Sequence, residues 1–155
     1  MSCVFLSGVE RSVVFAGDVS ESDLPGYYSA CDFLVLPSLD RSEGFGLVVL
    51  EAAACGKPAI GSAVGGIPDA IVHGTSGLIV PPGDSEELAN AILRLIRDKG
   101  LRTRLSEGAL NVTRGRSWES VARRVESIYL ELLHGRPRTR QEGKGDNTLQ
   151  PWDSE

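Results

Sequence analysis

A chain of 155 residues is one domain by size and long enough to bury a core. Its 41% hydrophobic and 24% charged residues are those of an ordinary globular protein, and a formal net charge of -5 excludes a basic footprint for nucleic acid. No apolar run approaches the ~20 residues that cross a bilayer, so no transmembrane segment is expected.

The N-terminus, MSCVFLSGVERS, has neither a basic leader nor a full apolar stretch, and residues 1–11 read as the remnant of an earlier element. Ser12–Ala16 is a β-type run and predicts a first strand. Ser22 to Ala30 predicts a short helix with Ser22 as N-cap. Asp32–Leu36 predicts a second strand, stopped by Pro37. A loop, Ser38 to Gly44, leads to a helix from about Phe45 to Cys55, closed by Gly56. Pro58–Gly61 starts a third strand, and Gly65-Gly66 turns into a short helix, Pro68 to Val72. Gly77–Val80 is a fourth strand, ended by Pro81-Pro82-Gly83. Strands alternating with helices are the pattern of parallel βα units, so the fold class is α/β: a Rossmann-like parallel sheet with flanking helices.

A helical C-terminal region follows. Asp84 and Glu87 resemble a capping box, and Leu88, Ala91, Ile92, Leu95 and Ile96 form an apolar stripe at helical spacing. Leu101 to about Val112 predicts another helix. Ser117 then caps an amphipathic stretch through Val121, Val125, Ile128, Tyr129 and Leu132. From His134 onward apolar residues nearly vanish, so 135–155 is expected to be a disordered tail and 12–134 the domain. The three cysteines, Cys3, Cys31 and Cys55, sit in or beside apolar runs without metal-ligand spacing and read as reduced, partly buried thiols. A cytoplasmic protein is expected on those grounds.

The chemistry concentrates between Glu43 and Glu51. The helix Gly46 to Ala54 is apolar on every side except for Glu51, and such a helix is normally buried. A buried unpaired carboxylate is costly, so Glu51 either faces a cleft or has partners. Two vicinal hydroxyls of a ribose would serve, as in dinucleotide-binding folds; a plain solvent-facing position would serve too. Glu43 lies at the carboxyl end of the sheet, where ligands bind in open α/β folds. Between the acids, Gly44-Phe45-Gly46 allows backbone to approach a ligand, and the helix start near Gly46 and Leu47 favours an anion. Eight residues of helix span about 12 Å, a reach that suits a sugar, a diphosphate and a ribose in order. Glu43 belongs on the sugar side, because a carboxylate repels the diphosphate.

The ordered set Pro37-Ser38, Glu43-Gly44-Phe45-Gly46-Leu47, Glu51-Ala52, Gly56-Lys57-Pro58, Gly65-Gly66-Ile67-Pro68 and His73-Gly74…Gly77-Leu78-Ile79-Val80-Pro81 resembles the family 4 retaining glycosyltransferases of the GT-B fold. The likeness runs from about Val13 to Leu133 and includes the E-x7-E pair, Glu43 and Glu51. It implies the C-terminal, donor-binding domain of a transferase that moves a hexosyl group from a nucleotide-diphosphate sugar with retention. Glu43 would act at the reacting sugar by positioning and electrostatics. Gly44, Phe45, Gly46 and Leu47 would meet sugar and phosphate through their backbone, and Glu51 would hold the ribose. The family generally uses no DxD motif and no essential metal, so no metal and no cofactor beyond the nucleotide-sugar substrate is expected.

The same resemblance implies features that the sequence lacks: an acceptor-binding domain, and two βα units carrying an Arg and a Lys that neutralise the diphosphate. An acceptor-binding domain or subunit on another chain would supply the first, and peripheral membrane attachment through such a partner stays open. The isolated chain is expected to turn over weakly or not at all. The alternative is a non-catalytic nucleotide-sugar-binding or interaction module that keeps the fold. Three strands, Asp32–Leu36, Pro58–Gly61 and Gly77–Val80, should pair side by side. The Ser12–Ala16 strand should either join the Asp32 strand or leave an exposed edge. Gly65-Gly66 reads first as a turn, with a place bordering the sugar as its alternative. Lys57 reads as an exposed charge, His73 and His134 as surface or turn residues, and Asp40 and Arg41 as a solvated loop, with substrate contact as its alternative.

Overall fold

The computed structural model describes residues 8–40 and 44–134. The chain divides into two units, Met1–Ser117 and Trp118–Glu155. The first holds a three-stranded sheet among its described residues: β1 (Leu34–Leu36), β2 (Ala59–Ser62) and β3 (Gly77–Val80), in spatial order β1-β2-β3. Both pairings are parallel, with Leu34 opposite Ala59 and Ala59 opposite Gly77. A parallel sheet needs cover on both faces, because its crossovers place helices there.

Alternation along each strand sorts its side chains into two cores. Ile60, Leu78 and Val80, with the half-buried Phe33 and Val35, pack on one face against Leu95, Leu101 and Leu105. Those leucines come from α4 (Ser85–Arg97) and α5 (Lys99–Thr113). Ala59, with Leu34, Leu36 and Ile79, packs on the other face against Val49, Ile67 and Ala70. These belong to α2 (Leu47–Ala54) and α3 (Ile67–Ala70). All four residues of β2 are buried, as befits the central strand. The predicted three-strand pairing is therefore observed.

Helix ends follow sequence chemistry. The Asp84 carboxylate accepts from Glu86 N at 3.1 Å and Glu87 N at 2.9 Å, so the capping expected at Asp84 is made by that side chain. Asp98 ends α4 and starts α5, accepting from Leu101 N at 2.8 Å, while Arg102 Nη1 donates to Leu95 O at 2.6 Å across the same junction. At the end of α2, Lys57 N donates to Ala52 O and Gly56 N to Ala53 O, the two bonds of a Schellman motif.

Three expectations need correction. Ser12–Ala16 is not a strand: a 3-10 turn spans Glu10–Ser12 and the following residues are irregular, with Val14 91% and Phe15 55% exposed. β propensity becomes a strand only beside a partner, and among the described residues no strand lies along the outer edge of β1. The short helix α1 spans Leu24–Ala30 with Asp23, not Ser22, at its N-cap position. Ser20 Oγ, 2.8 Å from Ser22 Oγ, donates to Asp23 Oδ2 at 2.7 Å, so the serines tie the turn that precedes the helix. Ile96 lies off the buried stripe of α4 at 58% exposure, whereas Leu95 is fully buried.

In the second unit α6 spans Trp118–Leu133, with Val121, Val125, Ile128 and Leu132 exposed at helical spacing and an Arg123–Glu119 ion pair one turn apart. The expected tail, 135–155, lies outside the described residues.

Candidate functional site

Helix α2 begins at Leu47, two residues later than its apolar pattern suggests, and Gly46 is the reason. Gly46 holds φ 73° and ψ 47°, the left-handed region, where an L side chain is strained. It turns the chain sharply into the helix, and its carbonyl accepts the first helical bond, from Val49 N at 2.9 Å. Gly46 as N-cap brings no side chain to this end, and no acidic residue stands in the first turn. The Leu47 and Val48 amides that begin the helix and the positive end of its dipole make this end suited to an anion.

The Gly65-Gly66 turn, expected at the same end of the sheet, is joined to this helix entry. Gly66 N donates to Gly44 O at 3.0 Å. A Cβ at Gly66 would stand 2.8 Å from Phe45 Cα and 3.1 Å from Gly44 O, so only glycine admits the contact. The loops that leave β1 and β2 are thus latched at the carboxyl ends of their strands. Phe45 and Leu47 are exposed beside the latch, and Gly46 is buried under it.

Glu51 sits one helical turn beyond Leu47, about 6 Å along the axis, and is exposed. Its carboxylate has a protein partner that the sequence did not reveal: the Tyr28 hydroxyl donates to Oε2 at 2.7 Å. Tyr28 is half-buried on α1, and its phenol is pushed up to about 12, first by burial and then by the bond to, and charge of, Glu51. A signal existed in the requirement that Glu51 have partners. Nothing in the sequence chose between Tyr27 and Tyr28.

Glu43, Arg41 and Ser42 lie outside the described residues. The structure therefore brings Gly44, Phe45, Gly46, Leu47 and Glu51 together on one helix and its entry loop, without reaching Glu43. Asp40 is exposed. A cleft of about 150 Å³ opens nearby between Pro37, Ser62, Val80 and Asp84, too small for a bound nucleotide sugar.

The remaining candidates have other local surroundings. Lys57 follows the opposite end of α2 and is half-buried rather than exposed. His73 Nδ1 accepts from Ile79 N at 2.9 Å, and Ser76 Oγ accepts from Val72 N at 2.9 Å; both tie the turn before β3. His134, just past the end of α6, has its Nδ1 2.7 Å from Leu130 O. Cys31 and Cys55 are unpaired, partly buried thiols. The Cys31 thiol is pushed up, mainly by burial, and donates to Tyr28 O at 3.1 Å. Cys3 lies outside the described residues. Among the described residues no group of three or more metal-ligating side chains comes together, and no helix is long and apolar enough to cross a membrane.

A family model described as glycosyl transferases group 1 matches residues 7–112. The chain is 37% identical over 133 residues to a D-inositol 3-phosphate glycosyltransferase of Streptomyces bingchenggensis, covering 86% of this chain and 29% of that protein. Among solved structures it is similar to sucrose-phosphate synthase from Thermosynechococcus elongatus, with 36% identity and a TM-score of 0.77 over 86% of this chain and 33% of that one. It is also similar to Anabaena HepE in complex with UDP, with 30% identity and a TM-score of 0.72 over 84% of this chain and 34% of that one. The chain thus spans about a third of the length of the proteins it matches.

Proposed function

The chain belongs to the glycosyl transferases of group 1, with the Rossmann-like α/β architecture of one half of a GT-B enzyme, and we propose that it binds the sugar-nucleotide donor. The reaction proposed is transfer of a hexosyl group from a nucleotide-diphosphate sugar to an acceptor hydroxyl with retention at the anomeric carbon. The observation that carries this reading is one helix with two chemistries: a glycine-led start at Gly46 for the diphosphate and an exposed Glu51 one turn on for the ribose. HepE, a relative of this fold, has been solved with UDP and with UDP-glucose, which supports a nucleotide sugar as the ligand class.

In this reading the backbone of Gly44, Phe45, Gly46 and Leu47 meets sugar and phosphate. Glu43 contacts the donor sugar and acts by positioning and electrostatics. The acceptor oxygen forms its bond to the anomeric carbon on the face from which the diphosphate leaves. The bond from that carbon to the diphosphate breaks, and the departing oxygen takes the acceptor proton. No metal is assigned a role, so turnover by the complete enzyme should persist in excess chelator. Because the chain spans about a third of its relatives' length, the acceptor side is proposed to come from further sequence or another subunit, and this chain alone to turn over weakly. Localisation is proposed as cytoplasmic.

A thermal-shift screen of the full chain against UDP-, GDP- and ADP-sugars, with Glu51→Ala alongside, tests the reading. Stabilisation of the wild type by one nucleotide class, reduced in Glu51→Ala, is expected. Equal shifts in both proteins remove the ribose assignment, and rapid turnover without a partner removes the incomplete-site proposal.

A further inference from the structure

Glu51 carries three rotatable side-chain bonds on an exposed helix face, yet a ribose diol requires one carboxylate orientation. We infer that Tyr28 is a positioning residue for this carboxylate: its phenol holds Oε2 from α1 and presents Oε1 to the ribose hydroxyls of a nucleotide. The inference rests on the donor-site reading of Glu51 and extends it to a residue 23 positions earlier in the chain.

Three observations converge. The bond is 2.7 Å, the length of a charge-assisted contact, and its direction is fixed because an ionised carboxylate only accepts. A carboxylate offers about four lone-pair sites; one phenol consumes one and leaves enough for two vicinal hydroxyls. Tyr28 is also half-buried while its neighbour Tyr27 is 54% exposed, so of the two phenols it is the one with packing to hold it against Glu51. Burial and the neighbouring Glu51 charge keep the phenol protonated, and hence a donor, throughout the physiological range.

The test is affinity of the full chain for UDP, ADP and GDP against their 2′-deoxy counterparts, read by NMR titration in wild type, Tyr28→Phe and Glu51→Ala. Wild type should prefer at least one ribonucleotide. Tyr28→Phe keeps the ring and should melt near wild type while losing about three- to tenfold of that preference; Glu51→Ala should lose it entirely. Preference lost in Glu51→Ala but intact in Tyr28→Phe overturns the positioning role and leaves the donor site standing. Preference intact in both variants, or absent from wild type in all three pairs, overturns the donor-site reading and this inference with it. If Tyr28→Phe unfolds, a ring-difluorinated tyrosine at 28 keeps the shape and lowers the pH at which the phenol ionises. The preference should then decline as that phenol ionises, and a pH-independent preference counts against the role.

Discussion

The Tyr28 hydroxyl and the Glu51 carboxylate, 2.7 Å apart, join α1 to α2 across 23 residues of sequence. The positioning role proposed for Tyr28 rests on this contact, and the contact has a titration signature of its own.

The Tyr28 phenol ionises near 12 in the folded protein against about 10 in an unfolded chain. The folded state therefore holds this proton more tightly. The associated stability is fully present below about pH 10 and is lost as pH rises toward 12. Ultraviolet phenolate titration, with Tyr28→Phe as the difference control, should show Tyr28 ionising late in wild type and earlier in Glu51→Gln. A Tyr28 phenolate that forms near 10 in wild type would refute the contact.

Gly46→Ala should destabilise the fold by about 1–2 kcal/mol, because alanine pays for the left-handed conformation that glycine adopts freely. The added methyl itself is tolerated, since the nearest atom, Ile67 Cγ1, is 3.4 Å from the Cβ position. Urea unfolding measures the loss, and a neutral result would mean the helix entry can relax.

Gly66→Ala acts differently. Its Cβ would meet backbone at Phe45 Cα, which cannot swing aside, so the Gly66–Gly44 bond should break. A cost of about 1–3 kcal/mol is expected, together with weaker nucleotide binding. Gly66→Ala with unchanged nucleotide affinity would detach this loop from the site.

Asp84→Ala removes the acceptor for Glu86 N and Glu87 N and should cost about 1 kcal/mol. It lies outside the α2 segment, so nucleotide affinity should stay at the wild-type value. A change in affinity without a change in stability would require a ligand role for Asp84.

Much of the fold is legible because its signals are local or periodic. The runs at Leu34–Leu36, Ala59–Ser62 and Gly77–Val80 are apolar on both faces, as strands between two helical layers must be. Gly56 marks the end of α2 and Asp84 the start of α4 through bonds spanning fewer than six residues. Ser12–Ala16 misleads because the same β-type composition needs a neighbour that local sequence does not specify. The site divides the same way: Gly46 and Glu51 stand out within their own helix, while the partner of Glu51 depends on how α1 is rotated. Tyr27 and Tyr28 are chemically identical in sequence, and only packing decides which one reaches Glu51.

The latch between Gly66 and Gly44 has a practical consequence. Its amide is a glycine N–H, which resonates apart from most others in a nitrogen–proton spectrum, and it touches the entry loop from outside. Exchange of that single proton with solvent reports how often the loop lets go. Occupancy of the helix start could then be followed without labelling the ligand or waiting for a reaction.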